Sequence, residues 1–320
     1  MSQSLNQHFT PVKLLKFSIP CIIMMLFMSL YTIIDGIFIS RFVGSNALSS
    51  LNIIYPVCGI AIAIATMLAT GGNAIISKYL GEGNVQKARE SLSLFVAISV
   101  VLGIIILILT KTFLTPISRF LGATDLLLAD CNSYLGTYIC FVCACILQIL
   151  FQSYLVTAGH PAIGLALTIC AGIFNAVFDY VFIVVCNMGI TGAALATGIG
   201  ECIPAIAGLI FFTFSKKQLH FTKFHFMPKE LLLACYNGSS EMVSQLSNSI
   251  MTFLFNIILM RLAGENGIAA ITILLYGQFS FNAFYMGFSI GISPIIGFQY
   301  GANGKSELRN IYKVSFIFVA

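Results

Sequence analysis

The sequence predicts an all-α polytopic membrane protein built as a parallel repeat of six-helix lobes, the second lobe incomplete. Three observations predict it. Hydrophobic residues make up 58% of 320 positions and charged residues only 8%, with a mean hydropathy of +0.97, whereas a soluble domain is about a quarter charged. Continuous apolar runs recur along the chain, each long enough at about 1.5 Å per residue to carry a helix across ~30 Å of hydrocarbon. A β-barrel would instead alternate in and out over segments of about ten residues. Finally, the chain resembles itself when shifted by 220 residues.

Apolar runs between polar breaks place spans at 14–41, 49–77, 91–114, 132–157, 161–186, 190–214, 231–261 and 267–298. The first run, Leu14 to Phe42, is longer than a signal-peptide core and has no small-residue cleavage site after it, so it is expected to remain in the protein. A ninth run starts near Ile311 and is cut off at Ala320, too short to cross. The chain is therefore expected to be the first two-thirds of a longer protein.

Orientation follows from the basic residues. With the N-terminus inside, Lys13, Lys16, Lys78, Lys87, Arg89, Lys216, Lys217, Lys223, Lys229, Lys305, Arg309 and Lys313 lie in the cytoplasm, and only Arg41, Lys111, Arg119 and Arg261 lie outside. The positive-inside rule favours that split. The most polar linker, Ser215 to Glu230, then follows span six on the cytoplasmic side.

The 220-residue shift pairs Arg41 with Arg261, Gly44 with Gly264, Asn46 with Asn266, Ile53 with Ile273, Gly71 with Gly291, Gly81 with Gly301 and Arg89 with Arg309. These pairs fall at matching span ends and loops. Six spans separate the copies, and an even number preserves direction, so the repeat is parallel about an axis along the membrane normal. The expected division is an N-terminal lobe over 1–214, a cytoplasmic linker over 215–229 and a partial second lobe over 230–320.

Acids within spans carry the chemistry, because a charge in hydrocarbon costs several kcal/mol unless it faces a bundle interior or a wet cavity. Asp35, Asp179, Glu201 and Glu241 are such residues. Asp35 and Asp179, with Thr197, all sit roughly 10 Å below the outer surface by helical rise. Asn175 lies one turn from Asp179, and Glu201 one turn from Thr197, so each pair shares a helix face. A cluster of carboxylate, amide and hydroxyl oxygens suits a hard cation such as Na+, and a close carboxylate pair also suits a proton. The sequence leaves Na+ and H+ both open, with Asp35, Asn175, Asp179 and Thr197 as candidate ligands and Glu201 and Glu241 as additional acids.

Other features read as structural. Cys140, Cys143 and Cys145 sit inside an apolar run and act as small apolar residues rather than metal ligands. Pro20, Pro56, Gly71, Gly72, Pro204, Gly238 and Pro294 either bend spans during a conformational cycle or let helices approach closely. Met24, Met25, Met28, Tyr31, Tyr285 and Met286 are either packing residues or the lining of an adaptable cavity. Gly287-Phe288-Ser289-Ile290-Gly291 matches G-x-S-x-G, but that elbow needs a strand-turn-helix setting absent from a membrane span.

Several stretches resemble the multidrug and toxic compound extrusion (MATE) family: Pro20, Asp35-Gly36 and Phe42-Val43-Gly44; Ala158-Gly159-His160-Pro161; and Gly189 to Thr197 entering span six. Asn175 and Asp179 are similar to the cation-site pattern of the family's prokaryotic branch related to DinF. The resemblance implies two six-helix lobes around a central cleft in the inner membrane. It also implies antiport of small organic compounds, cationic or neutral, against Na+ or H+, with Asp35, Asn175, Asp179 and Thr197 as coupling-ion residues and Glu241 without a clear counterpart. Lipid is the only other partner expected. No cofactor, enzyme activity, nucleic acid or obligate protein partner is expected. Two alternatives remain: a flippase for lipid-linked saccharides, which would call for a basic cavity that the sequence lacks, and a membrane-embedded enzyme.

Overall fold

The computed structural model describes residues 8–215, 218–223 and 225–319; the side chains of 45, 252–253, 255–257, 259–276, 279–280 and 319 lie outside the description. The described residues form helices and connecting turns, with no strand among them. α1 (Pro11–Phe38) begins where Pro11 needs no amide partner and the Thr10 hydroxyl accepts from the Lys13 N–H. It runs on as a π-helical turn, Ile39–Val43, which ends at Gly44 with φ 120°. α2 (Ser45–Gly81) passes into α3 (Val85–Thr112) through a turn that needs φ 75° at Gly83, and there the Asn84 side chain accepts from the Lys87 N–H at 3.2 Å.

The short α4 (Leu114–Phe120) leads to α5 (Leu128–Tyr138), a 3-10 turn at Ile139–Phe141 and α6 (Val142–Thr157). α7 (Pro161–Asp179) also starts on a proline and ends in a π-helical segment, Tyr180–Val185. α8 (Gly189–Phe214), α9 (Pro228–Gly301) and α10 (Lys305–Val319) complete the order.

Seven helices among the described residues are long and apolar enough to cross a membrane, and six of them match the first six predicted spans to within a few residues. The seventh, Phe281–Gly301, lies in the predicted eighth span. The predicted seventh span and the polar break after it run into residues whose side chains are not described, Arg261, Gly264, Asn266 and Ile273 among them. α9 carries both segments as one 74-residue helix, in contrast to the two separate runs expected.

Its packing nevertheless shows a reversal. The backbone carbonyl of Ala234 sits against Gly71 of α2, and Ser293 accepts a hydrogen bond from the side chain of Asn73, two positions further along α2. A straight helix would hold Ala234 and Ser293 about 90 Å apart. Along the first limb Ala234, then Ser249, meet Gly71, then Gly59. Along the second, Ser293 and Gly297 meet Asn73 and Ser77. The limbs are antiparallel, and the chain turns back between Ser249 and Phe281.

The contacts also carry the repeat. Asn73 Nδ2 donates to Ser293 Oγ at 3.2 Å, a bond between residues 220 apart. Gly81 packs on the Phe298 carbonyl and Gly301 on the Lys78 carbonyl, each contact the counterpart of the other under the same shift. A residue that touches its own repeat mate lies on the axis relating the two copies, and reciprocal contacts on either side are what a twofold about the membrane normal produces.

Three apolar clusters hold the bundle. One joins α2, α3, α6 and α8 around Leu68, Phe95, Phe151, Tyr154 and Phe212, and another joins α1, α2, α5 and α8 around Ile39, Ile54, Tyr134, Ile190 and Ala194. The third packs Phe9, Leu14 and Ile22 on Phe288, Ile295, Phe298 and Ile311. Pro20, Pro56, Pro204 and Pro294 sit inside uninterrupted helices. Gly71 and Gly238 lie under 3 Å, as measured from an added Cβ, from neighbouring backbone, so close packing is the role the fold gives them. The glycines of the G-x-S-x-G stretch do the same: Gly287 faces Ile22 and Gly291 faces Ser18 of α1. α3 exposes Val101, Ile104, Ile105, Ile108 and Leu109, an apolar stripe at helical spacing suited to lipid.

Candidate functional site

α7 packs between α1 and α8, and small residues set how closely they approach. A Cβ at Gly172 would stand 3.3 Å from the Tyr31 ring, and one at Gly200 would stand 3.3 Å from Asn175. These close approaches bring Tyr31 and Asp35 of α1, Asn175 and Asp179 of α7, and Thr197 and Glu201 of α8 into one polar locus. α5 adds Tyr134 and Tyr138, and α6 adds Cys145 and Gln148.

Asp35 and Asp179 stand close enough for their carboxyl groups to interact directly. Asp179 is fully buried and Asn175 is 3% exposed. Asp35 Oδ1, both carboxylate oxygens of Asp179 and Asn175 Oδ1 are buried without a hydrogen-bond partner. The ion pairs among the described residues, His8–Glu307, Lys78–Glu82 and Arg119–Asp125, lie elsewhere. Two buried carboxyl groups facing each other without a basic neighbour cannot both carry an uncompensated charge. The arrangement therefore calls for a proton or a small cation.

Beside this pair, Tyr31, Gln148, Ala171, Asn175, Thr197, Gly200 and Glu201 line a cavity enclosing about 210 Å3 of empty space. Tyr138 donates its hydroxyl hydrogen to Glu201 Oε1 at 3.0 Å, with Cys145 Sγ 3.4 Å from the same hydroxyl. Thr197 donates to the Ala193 carbonyl at 3.1 Å, which leaves its lone pairs free.

The structure thus divides the expected quartet. Asp35 and Asp179 pair with each other, while Asn175 and Thr197 line the cavity on the side of Glu201. Glu241 stays apart, since α9 packs on α1, α2, α6 and α10 rather than on α7 or α8. Met24 packs against Gly164, a structural contact, whereas Tyr31 reaches the cavity. Of the cysteines, Cys143 fills the gap at Gly103, and only Cys145 approaches the polar locus.

Sequence reasoning missed Gln148, Tyr134 and Tyr138, whose roles depend on α5 and α6 lying beside α8. It also missed the π-helical segments. Asp179 is the last residue before one of them, Asp35 lies one turn before the other, and the two segments touch. A π turn inserts a residue into the α register and re-aims the side chains around it, a device common at functional sites. Neither segment contains a glycine or proline that would mark it.

The sequence matches the family model MatE over residues 20–181 and 242–320, two stretches that start roughly 220 residues apart. It is 24% identical over 320 residues to the multidrug export protein MepA of Staphylococcus haemolyticus, covering 96% of this chain and 68% of that protein. MepA of Staphylococcus saprophyticus is 23% identical, with 94% and 67% covered. The chain thus spans about two-thirds of the length of these relatives. Its fold matches a MATE protein solved in complex with MaD3S (TM-score 0.90, 23% identity, 99% of this chain and 71% of that one). It also matches an outward-facing multidrug resistance MATE transporter of the MOP superfamily (TM-score 0.89, 23% identity, 99% and 70%).

Proposed function

The chain belongs to the MatE family of multi-pass membrane transporters, which are not enzymes, and from that premise we propose that it carries out multidrug efflux, exporting organic cationic or neutral compounds in exchange for Na+ or H+. The carrying observation is the Asp35–Asp179 pair: two acids from separate helices face each other, with orphaned oxygens and no basic partner. Uptake of a cation or proton there relieves the repulsion, and its release restores it. The occupied and empty states therefore favour different packings of α1 against α7. That difference in affinity between two conformations is what alternating access requires. In this reading Asp35 and Asp179 carry the coupling charge, and Asn175 and Thr197 assist on the cavity side.

The same reading takes residues 1–214 as one lobe, 215–229 as a cytoplasmic linker and 230–320 as part of the second, in the inner membrane with the N-terminus cytoplasmic. The distribution of Lys and Arg supports this orientation. Cysteine labelling from each side tests it: reaction of the 215–229 linker only from the outside overturns the topology. For the coupling step, Asp35→Asn and Asp179→Asn in the transporter should each abolish efflux driven by an imposed Na+ or H+ gradient while membrane insertion stays near normal. Wild-type efflux in both variants refutes the assignment.

A further inference from the structure

The coupling reading makes little use of the cavity beside the aspartate pair, whose chemistry is specific. Tyr31, Gln148, Asn175, Thr197 and Glu201 bring five oxygen-bearing side chains to its wall. Gln148 is 5% exposed and Asn175 3%. Gln148 Oε1, Asn175 Oδ1 and Glu201 Oε2 are all buried and all without a partner. Each of these three atoms is an acceptor. The other Glu201 oxygen already receives the Tyr138 hydroxyl, so Tyr138 holds the carboxyl in place while Oε2 remains free.

A water molecule has two hydrogens to give and would leave one of the three acceptors unmet. A bare cation satisfies all of them at once. The walls offer oxygen ligands and no nitrogen base, which suits a hard ion. One carboxylate among neutral oxygens balances a single positive charge, and a divalent ion would leave a buried net charge.

We propose that this cavity is a second cation site, adjacent to the Asp35–Asp179 pair and distinct from it, which takes one Na+-sized monovalent ion on Glu201 with Gln148, Asn175, Tyr31 and Thr197 as neutral ligands. The inference extends the transport reading but is tested by binding alone, so the two fail separately. If both sites load, each cycle moves one more positive charge than the aspartate pair carries.

The test is equilibrium binding of radioactive Na+ to the whole chain in lipid nanodiscs at pH 8. Glu201→Gln is expected to remove one bound ion. An Asp35→Asn/Asp179→Asn double variant is expected to keep it. Gln148→Leu should keep the ion with affinity at least tenfold weaker, and Glu201→Asp should also retain it more weakly; these two arms read the site even where Glu201→Gln disturbs folding. Wild-type Na+ binding in both Glu201→Gln and Gln148→Leu overturns the proposal. So does the loss of all Na+ binding in the double aspartate variant, which would mean that the cavity holds no cation of its own.

Discussion

Gly81→Ala perturbs the contact that closes one end of the bundle. A Cβ on Gly81 would lie 2.0 Å from the Phe298 backbone oxygen, against about 3.4 Å for ordinary contact. α2 and the second limb of α9 must then part by about 1.4 Å at that level, and backbone on both sides leaves no flexible side chain to yield. Overpacking of this kind costs about 1–3 kcal/mol, which for a chain of this size lowers the melting temperature by on the order of 2–8 °C. Gly301→Ala should do the same, because its Cβ would lie 2.1 Å from the Lys78 oxygen. The two glycines act on one interface. Once the first alanine has parted the helices, the second costs little, so the double variant should fall short of the sum by more than about 0.5 kcal/mol. Thermal unfolding of the two single variants and the double variant in detergent, followed by circular dichroism, measures this. Full additivity, or melting of Gly81→Ala at the wild-type temperature, refutes the reciprocal contact and with it the axis drawn through this end.

Asn73→Leu removes the donor to Ser293 and the acceptor of the Thr157 hydroxyl; a loss of about 1–3 kcal/mol is expected and should appear as a lower melting temperature, whereas an unchanged one would mean that the axis contact contributes nothing. Tyr154→Phe deletes a buried hydrogen bond to the Leu68 carbonyl at 2.9 Å and should cost about 1 kcal/mol, checked in the same assay. At the N-terminal arm, burial works against ionisation of Glu307, but the Phe9 N–H, His8 and Asn310 outweigh it and hold its carboxyl below the ordinary glutamate range. A depressed carboxyl stabilises the fold above its unfolded pKa, and that contribution is lost as pH falls through the folded value. A spin label at Gln7→Cys should therefore stay immobilised at neutral pH and loosen in acid below about pH 4.5, with Glu307→Gln loose already at pH 7; equal mobility in both chains would show that the carboxylate does not hold the arm.

The sequence by itself determined the fold class, the first six spans and the parallel repeat, because each is written in local composition or in spacing along the chain. An apolar run of about twenty residues has one stable solution in lipid, and the pairing of Gly81 with Gly301 or Gly71 with Gly291 needs no coordinates to detect. It also singled out Asp35, Asn175, Asp179 and Thr197, since a buried acid is costly wherever its helix lies and helical rise alone sets its depth. Only the tertiary structure decided which of these residues meet. Asp35 and Asp179 are joined by the packing of α1 on α7 at Gly172, and Glu201 gains Tyr138 and Gln148 because α5 and α6 lie beside α8. The π-helical turns at Ile39–Val43 and Tyr180–Val185 were likewise invisible. Their extra residue reflects how two helix ends accommodate each other across the bundle, a contact between segments some 140 residues apart that no local pattern records.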